Sequence, residues 1–212
     1  MCAIFGTSKK EEIKLLYEKN HDRGGFALGA LYITLSDQFA IKKLPLKGYK
    51  GYIDHTFCSE YTKYSLFHDQ APTSSVRNFS IETSHPFQYS EWVVAHNGVL
   101  TDYEKLIPDH DNPVDSSYIP CLLHRESGDN IECIERVCNK LTGTFACWIY
   151  NTRTSRIFLV KQGSTLFYKG NSFSSVMLDG WKLLKDGIVY EIKTEIEEVG
   201  RFTDKNPFVI LI

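Results

Sequence analysis

The order in which apolar segments follow one another constrains this chain more than any other feature. Strand candidates arrive in pairs, 26–34 with 38–42 and 144–151 with 156–161, and further candidates lie at 2–5, 92–96, 165–169 and 189–192. Asn151 to Ser155 between two of them has the polar composition of a hairpin turn. Helical periodicity is read at 9–19, 103–106, 116–126, 130–141 and 180–186, with Asp115 before Ser116 and Ser117 as a candidate N-cap. The helices interrupt the strands and do not alternate with them. Such an order predicts an α+β domain with mainly antiparallel sheets and excludes a doubly wound parallel one.

At 212 residues and 42% hydrophobic content the chain can bury a core, and one domain over residues 1–212 is expected. Its net charge of -2, from 24 Lys and Arg against 26 Asp and Glu, gives no pull toward nucleic acid. The start has no secretory pattern and no run of about 18 apolar residues occurs, so a cytoplasmic protein with no membrane association is expected. Neither a GxGxxG nor a GxxxxGK[ST] loop is present, and no cofactor is expected. Six cysteines, at positions 2, 58, 121, 133, 138 and 147, read as free thiols in such a compartment. Cys133 and Cys138 fall on one helical stretch, where packing is the better reading than metal, and no metal site is expected.

Chemistry enters with Cys2. If Met1 is removed, the thiol and a base stand on one residue, because an α-amino group titrates near about 7.7–8.0 and can take the thiol proton. A second feature is His96-Asn97-Gly98, placed just after the apolar stretch Trp92 to Ala95. An Asn amide and a Gly backbone N–H can aim two donors at one oxygen, as an oxyanion hole requires. Asn-Gly is also a hairpin dipeptide, and alone it reads as a turn.

Taken together, MCAIFG at the start, Arg23-Gly24-Gly25 with Gly29, Ala71-Pro72-Thr73-Ser74, Ser84-His85-Pro86-Phe87, Ala95-His96-Asn97-Gly98-Val99-Leu100 and Val114-Asp115-Ser116 resemble the class II glutamine amidotransferase domain. The likeness extends along nearly the whole chain and includes 141–146 and 156–161. It implies a four-layer αββα Ntn-hydrolase sandwich of two stacked, mainly antiparallel sheets. In that family's pattern Cys2 is the nucleophile, and Asn97 with Gly98 forms the oxyanion hole. Asp115 holds the α-ammonium of glutamine, Thr73 and Ser74 bind its α-carboxylate, and Arg23 supports the surroundings of the nucleophile. His96 belongs to the motif in a supporting place.

Gln70 stands where the family carries an arginine that pairs with the substrate carboxylate, and Ala3 where it carries glycine. A neutral amide lacks the charge assistance of such a pair. Three explanations stay open: affinity that rises with a partner, a substitute such as Arg77, or a substrate whose recognised end is not a free carboxylate. The resemblance implies a glutaminase with glutamine or a related γ-glutamyl amide as substrate. As the sequence carries no acceptor segment before Ile212, ammonia is expected to pass to a separate synthetase. The alternatives are a stand-alone hydrolase of other γ-glutamyl amides and a member that binds without catalysis.

Overall fold

The computed structural model describes residues 2–45, 61–71 and 79–205. In chain order its strands are β1 (Ala3–Thr7), β2 (Ala27–Thr34), β3 (Phe39–Leu44), β4 (Thr62–Gln70), β5 (Phe87–Tyr89), β6 (Trp92–Thr101), β7 (Thr142–Asn151), β8 (Arg156–Gln162), β9 (Phe167–Lys169), β10 (Ser172–Ser174), β11 (Lys182–Leu183), β12 (Ile188–Ile192) and β13 (Ile196–Arg201). The α-helices are α1 (Lys10–His21), α2 (Tyr118–Arg125) and α3 (Asn130–Lys140). One sheet has seven strands in the order β11-β9-β10-β1-β4-β2-β3, and the other six in the order β13-β12-β8-β7-β6-β5.

Side-chain alternation along the strands separates three apolar layers. Phe5, Phe67, Leu28 and Tyr32 face α1 through Ile13, Leu16 and Tyr17. Ile4, Leu31, Leu66, Ala95, Trp148 and Leu159 fill the space between the sheets. On the far side Val94, Phe145, Cys147 and Phe158 pack against Ile119, Leu123, Ile134 and Val137 of α2 and α3. The architecture is therefore the αββα sandwich expected from the sequence. Each fully buried large side chain contributes about 1.5–3 kcal/mol. Trp148 also donates its indole N–H to the Phe67 carbonyl across the two sheets, at 3.0 Å.

Helix α1 and helix α3 fall where periodicity puts them. Asp129 caps α3 by accepting from the N–H groups of Ile131 and Glu132. Asn151 Oδ1 accepts from Arg153 and Thr154, which closes the expected β7–β8 hairpin. Cys133 and Cys138 are buried in the α3 core layer.

Several expectations need correction. Residues 180–186 form no helix. Lys182 and Leu183 pair with Tyr168 and Phe167, and Leu183 is exposed while Leu184 is buried, the two-residue period of a strand. The 103–106 stretch is a 3-10 turn, Tyr103–Lys105. Asp115 is not the cap of a helix begun at Ser116, since it lies within a 3-10 turn, Asp115–Ser117, that precedes α2. His96, Asn97 and Gly98 do not follow a strand but lie in the middle of β6, opposite Cys147, Ala146 and Phe145 of β7. Besides β11, four strands were not anticipated. β5 and β13 lie at the two edges of their sheet and β10 lies between β9 and β1, whereas β4 is central and pairs with both β1 and β2. Among the described residues no helix is long and apolar enough to cross a membrane.

Candidate active site

Cys2 immediately precedes β1, at the end of the strand that pairs with β4. Ala3 is opposite Asp69, so one further step sets Cys2 beside Gln70, both on the face turned to the other sheet. The half-buried thiol lies against the backbone of Ala71: Ala71 N–H donates toward Sγ at 3.4 Å, and Sγ is 3.6 Å from the Ala71 carbonyl oxygen.

Asn97 is buried on β6 and donates from Nδ2 to Ser175 Oγ at 3.3 Å. Ser175 Oγ also accepts from the N–H of Ile4 at 2.9 Å, two residues after Cys2. The Ser175 carbonyl accepts from Arg23 Nη1 at 2.9 Å, and the same guanidinium donates to Thr165 Oγ1 at 3.1 Å. Ser175 thus joins three residues that the sequence assigned to one site, Cys2 through Ile4, Asn97 and Arg23. Burial lowers the pKa of Arg23, and the nearby Cys2 sulfur opposes that shift. Gly98 makes room for its surroundings, since a Cβ there would lie 2.1 Å from the Thr144 carbonyl oxygen and 2.7 Å from His96 Nε2.

On the helix side of β6, His96 Nδ1 lies 2.8 Å from Ser116 Oγ, and its Nε2 lies 3.2 Å from the Thr144 carbonyl oxygen. Asp115 Oδ1 accepts from Ser116 N–H at 2.8 Å and Oδ2 from Leu100 N–H at 2.9 Å. Asp115 keeps partial exposure while His96 is buried. Burial lowers the pKa of His96, opposed by Asp115 and by the Thr144 carbonyl, so the ring is neutral near pH 7.

Gln70 is 1% exposed. Its Oε1 lies 3.5 Å from His85 Nδ1, and its Nε2 has no hydrogen-bond partner among the described residues. His85 stacks on His68 with ring centroids 3.7 Å apart, and His68 Nε2 donates to the His96 carbonyl at 3.0 Å. Met1, Cys58, Pro72, Thr73, Ser74 and Arg77 lie outside the described residues.

Sequence reasoning missed Asp69 and Ser175. Asp69 is fully buried, accepts from Gly25 N–H at 2.6 Å and pairs with His21 Nδ1 at 3.0 Å, which fastens the turn carrying Arg23 to β4. A Cβ on Gly24 would lie 2.0 Å from Asp69 Oδ1, so this fastening requires glycine. An acid set between His68 and Gln70, directly after the apolar pair Leu66 and Phe67, was the available signal for Asp69. Ser175 had none.

No protein-family profile matches the chain. Among curated proteins, it is 24% identical over 184 residues to the 7-cyano-7-deazaguanine synthase of Saccharolobus solfataricus, covering 79% of this chain and 40% of that protein. It is 24% identical over 180 residues to 7-cyano-7-deazaguanine synthase 2 of Sulfurisphaera tokodaii, covering 76% and 39%. The chain thus spans about two fifths of the length of the curated relatives it matches. Among solved structures, that of the allosteric regulatory enzyme of purine biosynthesis superposes with a TM-score of 0.75 at 14% identity, over 96% of this chain and 49% of that one. Glutamine phosphoribosylpyrophosphate amidotransferase from B. subtilis, complexed with ADP and GMP, gives 0.67 at 15%, over 95% and 49%. These likenesses show the fold, an αββα sandwich of two stacked, antiparallel sheets.

Proposed function

We propose that residues 1–212 act as one class II glutaminase domain, in which Cys2, freed of Met1, attacks the side-chain amide carbon of glutamine and releases ammonia for a separate acceptor enzyme. The observation that carries this reading is the Ser175 junction. Through it the strand behind Cys2, the Asn97 amide on the other sheet and the Arg23 guanidinium share one hydrogen-bonded centre. An apolar core has no need of such an arrangement.

In the proposed reaction the α-amine takes the thiol proton as sulfur bonds to the amide carbon. The electron pair that moves to oxygen is held by the Asn97 amide and the Gly98 N–H. When the carbon–nitrogen bond breaks, the ammonium returns its proton to the leaving ammonia. Water, deprotonated by the same amine, then hydrolyses the thioester to glutamate. Asp115 receives the substrate α-ammonium, while Thr73 and Ser74 bind its carboxylate end beside Gln70.

Gln70 supports a second reading, in which the substrate is another γ-glutamyl amide with a neutral group at that end. A buried amide with an unpartnered N–H group suits a neutral acceptor better than an uncompensated carboxylate. Rates on glutamine and on its α-amide separate the two readings.

The mass of the purified protein tests whether Met1 is absent. A glutamine-analogue electrophile should then label Cys2 ahead of the other thiols. Labelling spread across several cysteines, or full turnover by Cys2→Ala, sinks the proposal. Co-elution and coupled turnover with candidate synthetases test ammonia supply. A 7-cyano-7-deazaguanine synthase belongs among them, because the curated relatives carry that name.

A further inference from the structure

His96 and Asn97 are neighbours on β6 whose side chains lie on opposite faces of the sheet. Only Asn97 faces the sheet that carries Cys2. The contacts of His96 nevertheless fix where hydrogens lie around Asp115. Its Nε2 is 3.2 Å from the Thr144 carbonyl oxygen, which can only accept, so this nitrogen carries a hydrogen whatever the charge of the ring.

Nδ1 then decides the direction of one hydroxyl. Ser116 Oγ lies 2.8 Å from Nδ1 and 3.2 Å from Asp115 Oδ1, and it has a single hydrogen to donate. With Nδ1 bare, that hydrogen goes to the ring. Asp115 then accepts only from the backbone N–H groups of Ser116 and Leu100, and each of its oxygens keeps a free lone pair. With Nδ1 protonated, the ring donates to Ser116 and the hydroxyl turns to Asp115. The imidazolium then stands 4.0 Å from Asp115 Oδ2, where it competes with any other cation.

We propose that His96, in its neutral Nε2–H form, is a positioning residue that keeps the Asp115 carboxylate open to a substrate ammonium, and that a proton on Nδ1 closes it. The inference rests on the substrate-binding role given to Asp115 above. The groups that face His96 leave Asp115 as its charged neighbour among the described residues. Cys147 lies across from it on β7, Cys138 approaches from α3, and Tyr103 lies near Asp115. Burial pushes these thiols and this phenol up, so all stay neutral while an imidazole titrates. His68 of β4 reaches only the His96 backbone carbonyl.

The coupling is reciprocal: whatever removes the Asp115 charge must ease deprotonation of His96. Nitrogen-detected NMR of the histidine-labelled full chain reads this without turnover. The expected result is an Nε2–H ring at pH 7, with a titration midpoint that falls by about one unit or more in Asp115→Asn. An Nδ1–H ring, or a midpoint unmoved by Asp115→Asn, overturns the proposal.

Kinetics supply the second arm. Protonation of the Cys2 α-amine lowers kcat/KM for every substrate, and below the His96 midpoint kcat/KM for glutamine should gain a further limb of about tenfold per pH unit through KM, as a second proton requires. The des-amino analogue glutaramate should show no such limb, and His96→Gln should lose it for glutamine. An equal acid limb for both substrates overturns the role of His96 while leaving Cys2 chemistry intact. Turnover that survives Cys2→Ala instead defeats the proposed function, and the NMR arm still decides the hydrogen arrangement.

Discussion

The two halves of β6 bury different things. From Trp92 to Ala95 the strand is apolar and hidden between the sheets and under α2, whereas from His96 onward it carries an imidazole and an amide, also buried. β4 has the same division, with Tyr64, Leu66 and Phe67 at one end and His68, Asp69 and Gln70 at the other. The apolar end needs only close packing. At the polar end every group must find a partner or lower the stability of the fold, because a buried unsatisfied group costs about 1–3 kcal/mol. One end of the sandwich thus holds the chain together, and the other gathers the residues of the proposed site.

That division breaks most visibly at Cys2. Cys2→Ala should lower glutamine hydrolysis by on the order of 10⁶ and leave the urea midpoint nearly where it was, since the half-buried thiol makes long, weak contacts with the Ala71 backbone. At the other end, Trp148→Ala should cost about 3–5 kcal/mol in urea unfolding, while the molecules still folded keep a reactive Cys2. A variant that kept its stability but lost thiol reactivity would show that the two ends cannot be separated. Asn97→Ala should reduce turnover by roughly 10²–10³ through the oxyanion donor, with little change in KM. Gln70→Leu sharpens the comparison. Removing an amide whose N–H group has no partner among the described residues should raise stability by about 1 kcal/mol while weakening substrate binding, a pairing that a structural residue would not show.

The smallest effect is a pH dependence of stability. His96 has a lowered pKa in the folded chain, so between that value and the ordinary imidazole value near about 6.5 the unfolded chain binds the extra proton. Its contribution is complete above that range and is lost as pH falls toward the folded value. His96→Gln should flatten this part of a stability profile measured by chemical denaturation.

Much of this division could be read before the structure. Cys2, the His96-Asn97-Gly98 run and Asp115 stand in short contiguous stretches whose chemistry is local, and the strand pairs announce the sheets through alternation. β4 was hidden because both of its faces are buried. Polar Ser65, His68, Asp69 and Gln70 broke the apolar run without restoring a period of two. Gly98 misled in another way. Asn-Gly suggests a turn, but here the glycine serves the close approach of Thr144 and His96 within a continuous ladder. Trp181, Leu183 and Leu184 satisfy helical and extended spacing alike, and pairing with β9 decided between them. Asp69 and Ser175 act through partners far away in the chain, a relation that a single sequence does not display.

The place of Ser175 limits how this scaffold can be re-engineered. A mutational library aimed at new substrates would target Gln70, Asp115 and their neighbours and treat a buried serine on no recognised motif as free to vary. Its hydroxyl and carbonyl nevertheless fasten Ile4, two residues after Cys2, the Asn97 amide and the Arg23 turn at once. Randomising it would scatter all three together, and the resulting losses would resemble failures of specificity. Holding Ser175 constant is therefore a condition for interpreting any such library.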